Sequence, residues 1–189
     1  MGERYTRTAM TLHWVIAMAV LGQIAFGWYL QQIPRLTPER TIFVNFHKST
    51  GLVIGLLIVF RLAWRLSHKP PPLPLSMPAW ERRAALVNHV LLYACMLIMP
   101  TAGYAASNFS KFGVKFFNAL LLPPWGVDDR GLYAFFNGLH VATSYLFVSL
   151  IAIHVGAALK HLILPRHGIF RRMLPGRGGR GAGPASRPG

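Results

Sequence analysis

Acidic residues are scarce. The chain has five Asp and Glu in 189 residues, against 20 Lys and Arg. Glu3, Glu39, Glu81, Asp128 and Asp129 all fall outside the long apolar runs. Without carboxylates in those runs, a proton relay of the Asp/Glu kind has nothing to be built from. Cysteine is rarer still. Cys95 stands alone in an apolar stretch, which excludes a disulfide framework and reads as a small buried hydrophobe. Charge as a whole is thin: 13% of residues are charged and 53% hydrophobic, yet the formal net charge is +15. A soluble nucleic-acid binder can be this basic, but its Lys and Arg would interrupt the hydrophobic segments. Here the cations gather between long apolar runs. That excludes nucleic acid as the partner and points to a chain that crosses lipid several times.

Four stretches reach the length of about 20 residues that a membrane span needs: Ala9 to Leu30, Phe43 to Leu66, Ala84 to Ser107, and Ala134 to Leu164. The first offers no small-residue cleavage site around Tyr29-Leu30-Gln31 and reads as a retained helix. The fourth exceeds the membrane thickness and should tilt or project. "HKPPPLPLSMP", between the second and third, cannot be helical and should be extended. The expected fold is all-α, an integral membrane four-helix bundle formed by residues 1–174. A tail of Gly, Pro and Arg, 175–189, has nothing to bury and should be disordered.

Basic residues set the orientation. With both termini cytoplasmic, Arg35, Arg40, Lys48, Lys111, Lys115 and Arg130 lie outside and the other fourteen of the 20 Lys and Arg lie inside. The positive-inside rule favours this arrangement. The histidines then acquire depths. His47 and His140 sit near the outer ends of the second and fourth spans, and His13 and His154 near the inner ends of the first and fourth. His140 and His154 are fourteen residues apart, which at about 100° per residue returns them to nearly one face, roughly 21 Å apart along the axis.

A single intramembrane histidine is readily explained by packing. Two matched levels, each drawing one imidazole from the fourth span and one from another, are not. Zinc would want three or four ligands at one level, and no thiol or carboxylate accompanies either pair. Clamping a planar macrocycle between two axial imidazoles suits the pattern best. Gly51 and Gly55 follow His47 on the same helical face and would leave room beside its ring, although small residues at this spacing also serve helix packing.

The residues that carry these features also carry a resemblance. "MTLHWVIAMAVLGQIAFGW", "NFHKSTGLVIGLLIVFRLAWRL" running into "KPPPLP", "NHVLLYACMLIMPTAGY" and "GLHVATSYLFVSLIAIHVGAALKHLIL" ending in "RRMLP" together resemble bacterial cytochrome b561 over nearly the whole chain except the tail. The resemblance implies a bacterial cytoplasmic-membrane protein with two haems b, whose axial ligands are His13, His47, His140 and His154. His89, in a family-like motif of the third span, would neighbour a haem, and it competes with His13 for the inner site.

Motif by motif, the similarity extends to members that oxidise superoxide at the outer face and reduce ubiquinone. It implies a superoxide:ubiquinone oxidoreductase. Lys48, Lys111 and Lys115 are then the candidates for steering the superoxide anion. His161 is the first candidate for hydrogen-bonding a quinone carbonyl, with Lys160, His68, Lys69 and Ser76 behind it. Membrane lipid, quinone, superoxide and a redox partner protein are the implied partners. Two other readings stay open: a haem-b electron-transfer subunit of a dehydrogenase or hydrogenase, and a haem-free transporter or membrane anchor.

Overall fold

A computed structural model of the chain describes residues 4–74, 76–163 and 173. Four long helices dominate it: α1 (Arg7–Gln32), α2 (Pro38–Ser67), α3 (Ala79–Asn108) and α4 (Arg130–Ile163). All four are long and apolar enough to cross a membrane, and they contain the four expected spans as far as Ile163. The 34 residues of α4 extend roughly 50 Å, against a hydrocarbon core of about 30 Å. The expected disordered tail, 175–189, lies outside the described residues.

Local chemistry explains where each helix starts and stops. Thr6 caps α1, its hydroxyl accepting from the Ala9 amide at 3.2 Å. The helix ends at Ile33, which is held extended by the proline that follows. Arg40 reaches back and donates from Nη1 to the freed carbonyls of Leu30 and Ile33, as cations do at helix C-termini. Thr37 caps α2, with Pro38 at its first turn. Asp129 caps α4: its carboxylate accepts from the Leu132 amide at 2.9 Å. Arg40 and Asp129 are therefore spent on helix ends.

Sequential helices run antiparallel. The Trp64 indole near the end of α2 donates to Thr6 before α1, and Lys160 near the end of α4 meets Glu81 at the start of α3. α1 thus begins where α4 ends, and this is called the terminal end below. Side chains from all four helices meet in one core: Ile16, Val20, Ile54, Ile58, Leu92, Cys95, Phe147 and Leu150. Large apolar residues elsewhere face outward, Leu56 at 72% and Met18 at 66% exposure among them, as expected of a bundle whose solvent is lipid.

A short antiparallel hairpin, β1 (Val114–Phe116) and β2 (Leu120–Leu122), interrupts the all-helical expectation in the connection between α3 and α4. Its turn places Phe117 (φ 45°) and Asn118 (φ 58°) in the left-handed region. Asn tolerates that conformation and Phe does not. Contacts with α2 hold it there. Asn118 accepts from Asn45 at 2.8 Å and donates to the Ile42 carbonyl, while the Phe117 amide donates to the buried Ser49 hydroxyl at 2.7 Å. Lys48 Nζ donates to the Gly113 carbonyl at 3.0 Å. The hairpin is therefore clamped over the end of the bundle opposite the termini.

Candidate functional site

The helices pack as a chain, α1 on α2, α2 on α3 and α3 on α4. α4 makes at most marginal backbone contact with α1 or α2, which leaves interior space along its inward face. At the hairpin end this space is a cavity of about 680 Å³, within the range of about 300–1,000 Å³ that holds drug-sized ligands and cofactors. Gly27, His47, Lys48, Gly51, Gly103 and His140 are among its walls.

Two ring pairs face one another across the bundle. His47 of α2 and His140 of α4 have ring centres 6.2 Å apart at 83°. His13 of α1 and His154 of α4 have ring centres 6.2 Å apart at 69°. A ligating imidazole nitrogen lies about 2 Å from its metal and about 1.1 Å from its own ring centre, which puts two rings on one ion about 6 Å apart. Both pairs match that spacing. The two levels lie roughly 21 Å apart along α4.

Supporting contacts orient the rings. His140 Nδ1 meets the Met99 carbonyl at 2.8 Å, an anchor that fixes the proton on that nitrogen and leaves Nε2 free as a ligand. His47 Nδ1 is buried with no hydrogen-bond partner among the described residues. Its ring is held by packing instead: a Cβ on Gly27 would lie 3.3 Å from His47 Cε1. Likewise a Cβ on Gly103 would lie 3.0 Å from His140 Nδ1. Among the described residues no three His, Cys, Asp or Glu gather to hold one ion. The His47–His140 pair, beside a cavity of this size and without further ligands, suits a macrocycle that brings its own equatorial nitrogens; His13 and His154 match it in ring spacing and line neither described cavity.

Comparison with known proteins decides the family. Residues 4–176 match the model of prokaryotic cytochrome b561. The chain belongs to that family. It is a multi-pass bacterial membrane protein that binds haem b and works in electron transfer. Among curated proteins it is similar to two from Escherichia coli strain K12. Cytochrome b561 homolog 1 is 26% identical over 181 residues, which are 93% of this chain and 99% of the relative. Cytochrome b561 homolog 2 is 28% identical over 173 residues, 91% of this chain and 92% of the relative.

Within this cytochrome b561 chain the remaining candidates separate. His89 lies 5.2 Å from His154, centre to centre, which is short for two rings sharing an ion. Its Nδ1 is engaged by the Ala85 carbonyl at 2.6 Å. Gly51 lines the cavity, but a Cβ on Gly55 would meet Pro100 at 3.1 Å, so Gly55 serves the packing of α2 on α3. The glycines that back the histidines are Gly27 and Gly103. Sequence reasoning missed them because each lies on a different helix from the ring it supports.

Lys48 and Lys111 line the cavity, while Lys115 stands exposed on β1 and does not. The quinone candidates fall into two groups. Lys160 and His161 face Glu81, at 2.8 and 3.9 Å. His68, stacked on Trp64, shares a smaller cavity of about 310 Å³ with Lys69, Arg4 and Thr6. Ser76 lines neither described cavity.

Proposed function

We propose that this cytochrome carries electrons between two haems b, taking them from superoxide at the hairpin end and delivering them to ubiquinone. His47 and His140 would hold one haem and His13 and His154 the other. The observation that carries this reading is the recurrence of one ring spacing, 6.2 Å, at two levels on α4. Residues 1–174 act as one transmembrane domain in this reading.

Bound haem would supply reversible one-electron storage, with its iron held by the paired imidazoles. The chain's own residues do the rest. Met99, through its carbonyl, holds His140 in the ligating tautomer. Lys48 and Ser49 tether the hairpin beside the cavity. Lys48, Lys111, Arg40 and Arg130 line its walls against one carboxylate, Asp128, so the surface around the cavity attracts a small anion. At the terminal end, His161 lies seven residues beyond His154 and offers a ring N–H near the same helical face for a quinone carbonyl.

Rapid mixing of the purified protein with superoxide should produce reduced b-type optical bands within the mixing experiment, and added ubiquinone should reoxidise them. Reduction by a copurifying dehydrogenase but not by superoxide would assign the chain instead to a partner complex.

This reading sets the hairpin outside and both termini in the cytoplasm, as the Lys and Arg distribution favours. A reporter active only in the periplasm should therefore be silent when fused to the C-terminus and active when inserted between Phe117 and Asn118. The reverse pattern would invert the membrane orientation and, with it, the side of superoxide entry.

A further inference from the structure

Arg61 is a partly buried guanidinium in the last quarter of a membrane-crossing helix, and a charge held inside the bundle there needs a counter-charge. It follows His47 by fourteen residues on α2, the same interval that separates His140 from His154 on α4, so it occupies the face of α2 that carries His47, one level toward the termini. Its anchors fix its depth. Nη1 donates to the Ala9 carbonyl at 3.2 Å, one turn before His13, and Nε donates to the Tyr93 hydroxyl at 3.2 Å, one turn after His89. Its charge lies within electrostatic reach of His13, His89 and His154. Arg65 adds a second cation, 5.5 Å above the Tyr93 ring.

Both of these partners are neutral. The one acidic residue inside the helical ends nearby, Glu81, is met by Lys160 and His161, and no described carboxylate pairs with Arg61. A guanidinium has five N–H donors in a flat fork that matches a carboxylate's two oxygens. Among the described residues two of the five are used. Ubiquinone is neutral and can accept hydrogen bonds without balancing a charge. Haem b, by contrast, carries two propionate carboxylates.

We propose that Arg61 is the counter-ion of a propionate on the haem held by His13 and His154, and that its positive charge raises that haem's reduction potential relative to a neutral residue. The assignment rests on the two-haem reading above. The electrostatic direction is simple: a nearby cation favours the reduced iron, which carries one positive charge fewer, and it cancels a carboxylate that would favour the oxidised one.

Potentiometric titration of the purified holoprotein tests this, with the component lost in His154→Ala taken as the relevant haem. In Arg61→Gln, that component should show an oxidised-to-reduced ratio about tenfold higher at fixed potential, equivalent to a 59 mV fall for a one-electron couple. The other haem should keep its midpoint and the haem content should equal the parent's. Arg61→Lys should restore most of the midpoint, because it keeps the charge. Tyr93→Phe, which removes only the neutral anchor, should titrate close to the parent.

Parental midpoints in a fully loaded Arg61→Gln protein would overturn the proposal, and parental midpoints with weakened ubiquinone binding would reassign Arg61 to the quinone. If Arg61→Gln does not assemble, resonance Raman spectra of Arg61→Lys decide. A shifted propionate bending band supports the pairing, and an unchanged band refutes it. A parent protein carrying a single haem would instead sink the two-haem reading itself.

Discussion

Replacing His140 or His47 with alanine is expected to leave about one haem per chain where the parent carries about two, because a buried iron that loses one axial imidazole has no substitute at that level. No other histidine stands beside this pair among the described residues, and Cys95, also buried, lies in the central core rather than at the ring level. Gly103→Val should have the same effect without touching a ligand. Even a bare Cβ would come within 3.0 Å of His140 Nδ1, and that nitrogen's bond to the Met99 carbonyl holds the ring against compensation.

At the other level, His154→Ala and His13→Ala should each remove the second haem, while His89→Ala should retain it. The 5.2 Å spacing leaves His89 beside the site as a neighbour. Pyridine haemochrome assays on purified variants give the count. Full loading in His13→Ala with loss in His89→Ala would show that the second site pairs α3 with α4.

Charge reversal at Lys48 is expected to slow reduction of the haems by superoxide about tenfold at low ionic strength, the lower end of what electrostatic steering contributes. The defect should shrink as salt is added, since the Debye length falls to roughly 8 Å at physiological strength. Reoxidation by quinone should be unchanged. Lys48 has a second task, though. Its ammonium ties the hairpin loop to α2 through Gly113, so Lys48→Glu removes a tether as well as a charge. Lys48→Met separates the two, losing the tether without adding a negative charge; its defect should be smaller and should share the salt dependence.

The structure also ranks the other two lysines. Lys111 reaches the cavity wall but is 72% exposed and lies 3.7 Å from Asp128, so Lys111→Glu should cost less than Lys48→Glu. Lys115, outside the wall, should be near neutral. A salt-independent loss in Lys48→Glu would indicate damage to the adjoining His47, and a parental rate at low salt would put the entry route elsewhere.

The sequence by itself determined the number of spans, because twenty consecutive apolar residues have few ways to satisfy their backbone other than as a helix in lipid. It also determined the relative heights of His140 and His154, which belong to one rigid helix and need only its pitch. The charge distribution added the levels at which His47 and His13 join them, but contact between the rings was a different matter. That the His47 and His140 rings stand 6.2 Å apart across the bundle depends on the antiparallel packing of α2, α3 and α4, since sharing a level does not bring two rings together.

Gly27 and Gly103 were invisible for the same reason: the collision they avoid is with a ring on another helix, so neither lies at a telling distance from it along the chain. Arg61 counted only as one more basic residue near a helix end until its contacts with Ala9 and Tyr93 set it among the rings. The hairpin escaped notice because two three-residue strands carry too little periodicity to detect, and its turn residue Phe117 argues locally against the conformation it adopts. Asn45, Ser49 and Lys48 of α2 impose that conformation from sixty to eighty residues away. Such contacts form only once the helices have packed, so the tertiary structure alone decided what closes over His47 and His140.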